Sequence, residues 1–489
     1  MNPETPPSHP RALLWLVALG FFMQALDGTI VNTALPGMAR DLGESPLRMQ
    51  AVVVSYVLTM AVIIPASGWL ADRFGTRRIF LGAILLFTVG SAACAASANL
   101  DQLVAARILQ GIGAAMLLPV GRLAVLRSFP RERFLAAMSF VAIPGLIGPL
   151  IGPPLGGWLV EKASWHWIFL LNLPVGMVGA IATLRYMPDL RRVDVGRFDL
   201  SGYLMLGMAM VTISLALDGM SGLGWAQAVV TLLMVSGLAA LTAYWLHALR
   251  HPSPLFSPLL FQVPTYRVGI LGNLFARIGS GAMPFLVPLL LQVGMGFSPM
   301  DAGLMMLPVA LSSMGVKRVV TRIIQRHGYR RVLILNTQML GLCIACFALM
   351  TPEQPLWLRV VQLSIFGAIN SMQFTAMNTV TLKDLAPAWA ASGNGLFSMV
   401  QMLGMSLGIT CAATLLHAFS SWLGAGQGTD ALPGFRAAFV AIGLLTAGSA
   451  FIFSQLRSDS DSDGHATPSA ARRGGNSGSS PPSGDRHGH

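Results

Sequence analysis

The sequence predicts an all-α integral membrane protein with 14 transmembrane helices, arranged as two related six-helix halves with two helices inserted between them. Three observations carry that expectation. Of 489 residues, 54% are hydrophobic and only 11% are charged, against about 25% charged in an ordinary soluble domain. So little charge cannot cover a water-facing surface of this size, which argues against a soluble enzyme, a nucleic-acid binder or a disordered scaffold. Apolar runs of about 20 residues, the length that crosses a hydrocarbon core of about 30 Å, recur along the chain. Finally, one charged loop pattern occurs twice, a mark of internal duplication.

The first six runs fall near residues 12–35, 51–71, 79–98, 102–124, 136–158 and 168–187. The first is too long for a cleaved leader, contains Asp27, and lacks a small-residue cleavage site after a short apolar stretch. Two more runs fall near 200–218 and 226–248, and six near 267–293, 302–324, 332–350, 356–377, 393–418 and 435–456. The expected organisation is a cytoplasmic N-terminus (1–11), an N-terminal six-helix bundle (12–187), two inserted helices with linkers (188–266), a C-terminal six-helix bundle (267–456) and a cytoplasmic tail (457–489). The tail is rich in Ser, Gly, Asp and His without apolar periodicity, so disorder is expected there.

The net charge of +12 reads as topology rather than as a phosphate-binding face. With the N-terminus inside, the alternating loops carry 25 Lys and Arg inside and 5 outside, with Arg107 and Arg277 left within spans. Such a split is a strong positive-inside signal and puts both termini in the cytoplasm. The four cysteines (Cys94, Cys343, Cys346 and Cys411) all lie in apolar runs and read as packing.

The repeated loop runs Gly68-Trp-Leu-Ala-Asp72-Arg73-Phe-Gly75-Thr-Arg77-Arg78 after the second run and Thr321-Arg322-Ile-Ile-Gln325-Arg326-His-Gly328-Tyr-Arg330-Arg331 after the tenth, an offset of 253 residues. Two parallel six-helix halves are the layout of rocker-type secondary transporters, whose substrate site lies between the halves near the midplane.

Asp27 is the only carboxylate deep in a span. An ionised side chain at the bilayer centre costs at least about 2.5–3.5 kcal/mol, so it needs a partner, a cavity or a proton. Asp27 lies about 12 Å from the outer end of its helix and Arg107 about 8 Å from the outer end of its own, at about 1.5 Å per residue. An Asp27–Arg107 pair follows, direct or through Gln110. It could exchange a proton as solvent access changes, or serve as a static bridge that fixes helix register. Arg277 has no evident acidic partner in its half, and either lines an aqueous cavity or anchors a substrate. Gln24, Asn32, Gln110, Asn273, Asn370 and Gln373 join it as candidate cavity residues, although helix–helix hydrogen bonds account for such groups equally well. In the fifth run, Gly148, Gly152 and Gly156 stand at i, i+4 and i+8, a spacing that lets helices approach closely. Pro144, Pro149, Pro153 and Pro154 favour a bend in the same helix.

Five segments together resemble the 14-span drug:proton antiporter family of the major facilitator superfamily. They are Leu26-Asp27-Gly-Thr29-Ile-Val-Asn32-Thr-Ala-Leu35-Pro36, the Gly68–Arg78 loop, Arg107-x-x-Gln110-Gly111-x-Gly113, Gly148-x-x-x-Gly152-Pro153-x-x-Gly156-Gly157, and Trp165-His166-Trp167-Ile-Phe-Leu-Leu-Asn172-Leu-Pro174-Val-Gly176, the last with His166 where the family usually has arginine. The resemblance implies the major facilitator fold. It also implies a conformational charge latch at Gly68, Asp72, Arg73, Gly75, Arg77 and Arg78, and an association of the motif at Gly148, Gly152, Pro153, Gly156 and Gly157 with antiport. The second loop has Gln325 in place of the acid, so a latch there should be weaker. Gln401-Met402 replaces an Arg-Gln pair common in the family, and that arginine's role does not carry over.

The function expected is proton-coupled, multidrug-type export of small molecules across a bacterial inner membrane by alternating access. Asp27 and Arg107 would couple the proton. The expected partners are substrate, protons and the bilayer, with a monomeric chain, no cofactor, no metal and no nucleic acid. An exporter of organic acids or their metal chelates, such as citrate-like anions, is the alternative on the same fold; a non-transporting membrane sensor is a remote one. No convergent His/Asp/Glu cluster suggests an enzyme, and no G-x-x-x-x-G-K-[ST] suggests a pump driven by its own ATPase.

Overall fold

A computed structural model describes residues 10–191, 195–219, 226–386, 389–424 and 428–456, and no strand occurs among them. The expected N-terminal segment up to residue 9 and the expected disordered tail lie outside the described residues. Within a bilayer the backbone must satisfy its own hydrogen bonds, so each apolar run closes into helix. The helices are α1 (Pro10–Leu42), α2 (Gln50–Phe74), α3 (Thr76–Ala95), α4 (Leu100–Ser128), α5 (Arg131–Lys162), α6 (His166–Leu170), α7 (Asn172–Tyr186), α8 (Leu200–Gly219) and α9 (Gln227–Arg250). They continue with α10 (Pro264–Leu289), α11 (Pro299–Leu304), α12 (Leu307–Cys346), α13 (Leu356–Leu382), α14 (Ala390–Trp422), α15 (Leu432–Gly448) and α16 (Ala450–Phe453).

Twelve helical segments among the described residues are long and apolar enough to cross a membrane, where the sequence predicts 14. The difference has two sources. The segment Pro299–Leu349 counts once but holds two predicted runs, and its backbone leaves the helical region at Gly328, with φ 74° and ψ 157°. The 27-residue α13 also coincides with a predicted run, but Asn370, Gln373 and Asn378 dilute its apolar character.

The duplication is visible in the backbone. Gly75 has φ 96° and Gly328, its counterpart 253 residues on, has φ 74°. Both are left-handed values that glycine adopts without a Cβ penalty, so the same sharp turn follows α2 and divides α12.

In the first half α1 packs along α5, α4 packs against α2 and α3, and α7 against α3. In the second half α10 packs against α14, and α12 against α13 and α15. The halves meet along α2–α14 and α5–α11. The inserted helices α8 and α9 pack on each other, and α8 also touches α2 and α14, one from each half. Near one end of that contact Thr414 Oγ1 donates to the Leu217 carbonyl at 3.4 Å and Gln50 Nε2 donates to Asp218 Oδ1 at 2.7 Å.

Asp199 caps α8: its carboxylate accepts from Gly202 N–H at 2.9 Å and Leu255 N–H at 3.0 Å. His247 Nε2 at the end of α9 lies 2.8 Å away. Burial pushes the Asp199 carboxyl up, and the Gly202 N–H, His247 and the Leu255 N–H together bring it below its ordinary value.

Candidate functional site

The buried polar centre of the first half is built on Asp27. Arg107 Nη1 lies 2.6 Å from Asp27 Oδ2, with both side chains fully inaccessible. Gln110 Nε2 donates to Asp27 Oδ1 at 2.8 Å, and Asn172 Nδ2 donates to the same oxygen at 3.2 Å. Arg107 Nη1 also reaches Gln110 Oε1 at 2.6 Å and Arg107 Nε donates to the Val52 carbonyl at 3.1 Å. Ser91 Oγ accepts from Gln110 and Asn172, which closes the network between α1, α3, α4 and α7. The guanidinium lies 3.9 Å over the Tyr56 ring. The low-dielectric surroundings strengthen each of these charge-assisted bonds while raising the cost of breaking one. The predicted pair is direct, and Gln110 braces it rather than bridging it.

The face of α1 opposite this centre lines a cavity. Residues two apart on a helix point about 200° away from each other. Thus Thr29, with Asn32 and Thr33 one turn on, borders a cavity of about 320 Å³ that does not reach Asp27. Leu146, Pro149 and Pro153 of α5 and residues of α10, α12 and α13 complete its wall, so it lies between the halves. Among the described residues, no lining side chain apart from Lys317 carries a charge, and Asn370, Ser280, Ser313 and Ser371 supply further polar groups. Along α1, Phe21, Gln24, Gly28 and Thr29 are half-buried while Asn32 and Thr33 are buried, so exposure along this helix increases toward the end of the bundle that carries the α2–α3 turn.

The opposite end is shut by contact between the halves. The helix α5 presents two adjacent stripes there. Gly148, Gly152 and Gly156 face α1: a Cβ on Gly152 would stand 2.3 Å from Thr29 Oγ1, and one on Gly156 2.4 Å from the Ile30 carbonyl oxygen. The next stripe passes through the cavity-lining Pro149 and Pro153 to Gly157, where a Cβ would stand 2.1 Å from the Pro299 carbonyl oxygen of α11. Gly303 meets the Pro153 carbonyl reciprocally, its added Cβ falling at 2.3 Å. Gln292 Nε2 donates to the Thr33 carbonyl at 2.8 Å across the same seam.

The family model for the Major Facilitator Superfamily matches residues 17–409. The chain belongs to the major facilitator superfamily. It is 56% identical over 407 residues to "Putative multidrug resistance protein MdtD" of Serratia proteamaculans (strain 568), covering 83% of this chain and 85% of the relative. Relatives of the same name from Pectobacterium carotovorum (strain PC1) and Escherichia coli O157:H7 are 52% and 51% identical, with 92% and 93% of this chain and 96% of each relative covered. Among solved structures, a POT family transporter in complex with 5-aminolevulinic acid superposes with a TM-score of 0.66 at 16% identity, covering 91% of this chain and 95% of that one. A variant of the nucleoside transporter NupG gives 0.61 at 15% identity, with coverages of 91% and 100%. These two likenesses speak for the fold.

Within the superfamily fold the remaining sequence candidates occupy different places. Asn32 and Asn370 line the cavity. Gln24 is half-buried, is not part of the cavity lining, and donates to Met60 Sδ at 3.5 Å. Gln110 belongs to the Asp27 network. Gln373 is buried between α12 and α13, bonded to Asn336 and Thr337 at 2.7 Å each. Asn273 is fully buried on α10, away from the cavity wall. Arg277 is 8% exposed and lies 4.5 Å over the ring of Phe374, whose other surroundings include the cavity. Its Nε and Nη2 have no hydrogen-bond partner among the described residues. Sequence reasoning missed Ser91, quoted Asn172 only as part of a motif and gave it no role beside Asp27, and counted the lining lysine Lys317 only toward topology.

Arg107 and Arg277 therefore differ. Removing Arg107 strands a buried carboxylate, which typically costs about 3–5 kcal/mol. Removing Arg277 strands no acid. Arg107→Met should lower the thermal midpoint of the purified protein markedly, whereas Arg277→Met should leave it unchanged or higher; equal losses would contradict this account.

In the loop motif, Asp72 pairs with Arg127 at the end of α4 in its own half. Arg77 Nε donates to the Met187 carbonyl at 2.5 Å, and Thr76 Oγ1 to the Pro188 carbonyl at 2.7 Å, so the turn is tied to the segment after α7. A Cβ on Gly75 would collide with Asp189 Oδ1. Arg73 and Arg78 are exposed, and Gly68 faces open space. The Trp165-His166-Trp167 run is not a uniform interfacial belt: Trp165 is 2% exposed while Trp167 is 51% exposed.

Proposed function

We propose that this chain is a proton-coupled secondary transporter that exports small molecules, multidrug-type, across a bacterial inner membrane by alternating access. The relatives named for multidrug resistance support the cargo class. The Asp27–Arg107 pair, sealed from solvent and braced by Gln110 and Asn172, carries the coupling. Fourteen crossings, both termini in the cytoplasm and a monomer are part of the proposal, with domain boundaries as the sequence sets them. The arginine and lysine split supports that orientation, in which the cavity opens inward and the α5–α11 seam is the outer seal.

The proton and the cargo occupy opposite faces of α1. Protonation of Asp27 from outside neutralises the acceptor of the Arg107 and Asn172 bonds, and their release frees α1 to shift on the glycine stripe of α5. The same movement reshapes the wall at Thr29, Asn32 and Thr33. The halves rock inward, the proton leaves to the cytoplasm as cargo binds, and the loaded carrier turns outward. Coupling passes through the helix rather than through direct competition for one carboxylate. In the outward state Asp72 would exchange Arg127 for a partner across the halves, as a latch. The test is purified protein in liposomes with an imposed pH gradient, screened against a mixed metabolite and drug panel. Proton movement strictly dependent on a panel compound supports the reading, and proton-independent flux of every transported compound overturns it.

Lys317 favours a second reading, export of organic anions or their metal chelates, because among the described residues it is the one charged group lining the cavity. A charge-assisted hydrogen bond contributes about 1.5–3 kcal/mol. Lys317→Gln should then weaken equilibrium binding of a citrate-like anion by about 10-fold or more. Binding of lipophilic cations in preference to such anions, unaffected by the substitution, would leave the multidrug reading alone.

A further inference from the structure

The inserted helices bring together a side-chain cluster that lies apart from the cavity and from the Asp27 centre. His247 and His251 stand at i and i+4 on the last turn of α9 and the residue after it, so both rings fall on one side of the helix. Asp199, from the cap of α8, completes the group. One donor atom from each residue lies within 4.8 Å of the others. Asp199 is 5% exposed, and the imidazoles stack with centroids 4.9 Å apart beside a recess that also holds Arg250.

We propose that Asp199, His247 and His251 form a binding site for a late first-row divalent cation such as Zn²⁺ or Ni²⁺. Two imidazoles and a carboxylate are a donor set suited to these ions. His247 Nε2 and Asp199 Oδ1 are 2.8 Å apart. Donors about 2.0 Å from a metal are about 2.8 Å apart at right angles and about 3.3 Å apart at the tetrahedral angle Zn²⁺ prefers, so a cation can take the place of the proton now shared between them once the pair opens by at most about 0.5 Å. The remaining ring comes from His251, whose Nδ1 accepts only a long bond from Ser253 N–H at 3.3 Å. The carboxylate is held in place by Gly202 N–H and Leu255 N–H, the outer-shell bonding that fixes a ligand's orientation. A bound ion would join the start of α8, the end of α9 and the strap leading to α10. Sequence spacing conceals the site, because Asp199 stands 48 residues from His247.

The experiment is Zn²⁺ titration of the full-length detergent-purified chain by calorimetry, with His465, His487 and His489 of the tail replaced by alanine to remove competing imidazoles. One Zn²⁺ per chain should bind, and it should raise the thermal midpoint. Two variants separate ligation from structure. His247→Gln keeps an N–H that can donate to Asp199 but lacks the imidazole, and His251→Ala removes the more weakly held ring. Each should weaken Zn²⁺ binding by at least about 10-fold with little change in metal-free stability, and Arg250→Ala, which removes a neighbouring positive charge, should tighten it. Binding no stronger than in the His247→Gln/His251→Ala double variant would overturn the proposal. So would Zn²⁺ binding that survives in both single variants.

Discussion

Asp27→Asn in sealed proteoliposomes should abolish accumulation driven by a pH gradient, a fall of at least about 100-fold to the passive level. Substrate-for-substrate exchange across the same membrane should persist, because the cavity wall is on the other face of α1. The substitution keeps the shape of the side chain and removes its ability to take up and release a proton. It also leaves Arg107 as a buried cation without a counter-charge, and so should destabilise the fold by about 3–5 kcal/mol. For that reason the double variant Asp27→Asn/Arg107→Gln is part of the prediction. It removes both charges, so it should recover much of the lost stability, a non-additivity expected of directly paired residues. It should remain uncoupled. Wild-type accumulation by the single variant would sink the assignment, and a stable but uncoupled double variant would separate the pair's coupling role from its structural one.

Gly157→Leu should open the α5–α11 seam. The new side chain would begin 2.1 Å from the Pro299 carbonyl oxygen, which is backbone and cannot swing aside. Overpacking of this kind costs about 1–3 kcal/mol, and the cost falls only on the conformation in which the halves touch there. The equilibrium should therefore move by about 5- to 150-fold toward the state open at that end. Spin labels on Lys162 and Asp301, in a background lacking the native cysteines, would read the change as a longer inter-label distance, and coupled transport should fall with it. Gly148→Leu would be a control of a different kind, since Gly148 meets α1 within its own half, at Leu26 N and Ala25. An unchanged distance distribution in the Gly157 variant would show that this contact is not the seal.

The ion pair was legible because charge in an apolar run is expensive and therefore conspicuous. Depth counting then placed Asp27 and Arg107 at one level, and the structure joins them at 2.6 Å. Ser91 escaped notice, and Asn172 was seen only as part of a motif, because a neutral polar residue in a span costs little and does not announce its partner. The same weakness explains why Gln373 and Asn273 look like cavity residues in a sequence but are buried between helices. Spacing revealed the Gly148, Gly152 and Gly156 stripe. It could not show that Gly157, about 100° further round the helix, faces a different helix in the other half. The fold itself was readable from apolar length and the duplicated loop, and Gly75 and Gly328 turn out to share a left-handed backbone as well as a pattern. The fourteen predicted runs compare with twelve segments that stand out by helix length and apolar character, because Gly328 separates two runs inside one continuous helical segment and α13 is more polar than the other spans.

The separation of Asp27 from the chamber between the halves has an electrical consequence. A carrier whose proton never meets its cargo has no reason to alter the number of protons per turnover when the cargo's charge changes. With one proton moving in per molecule moved out, a neutral cargo shifts one elementary charge inward, a monoanion shifts two and a monocation none. Membrane voltage would then add about 2.3 kcal/mol per 100 mV for each charge moved, so one and the same machine would be voltage-driven for some compounds and indifferent to voltage for others.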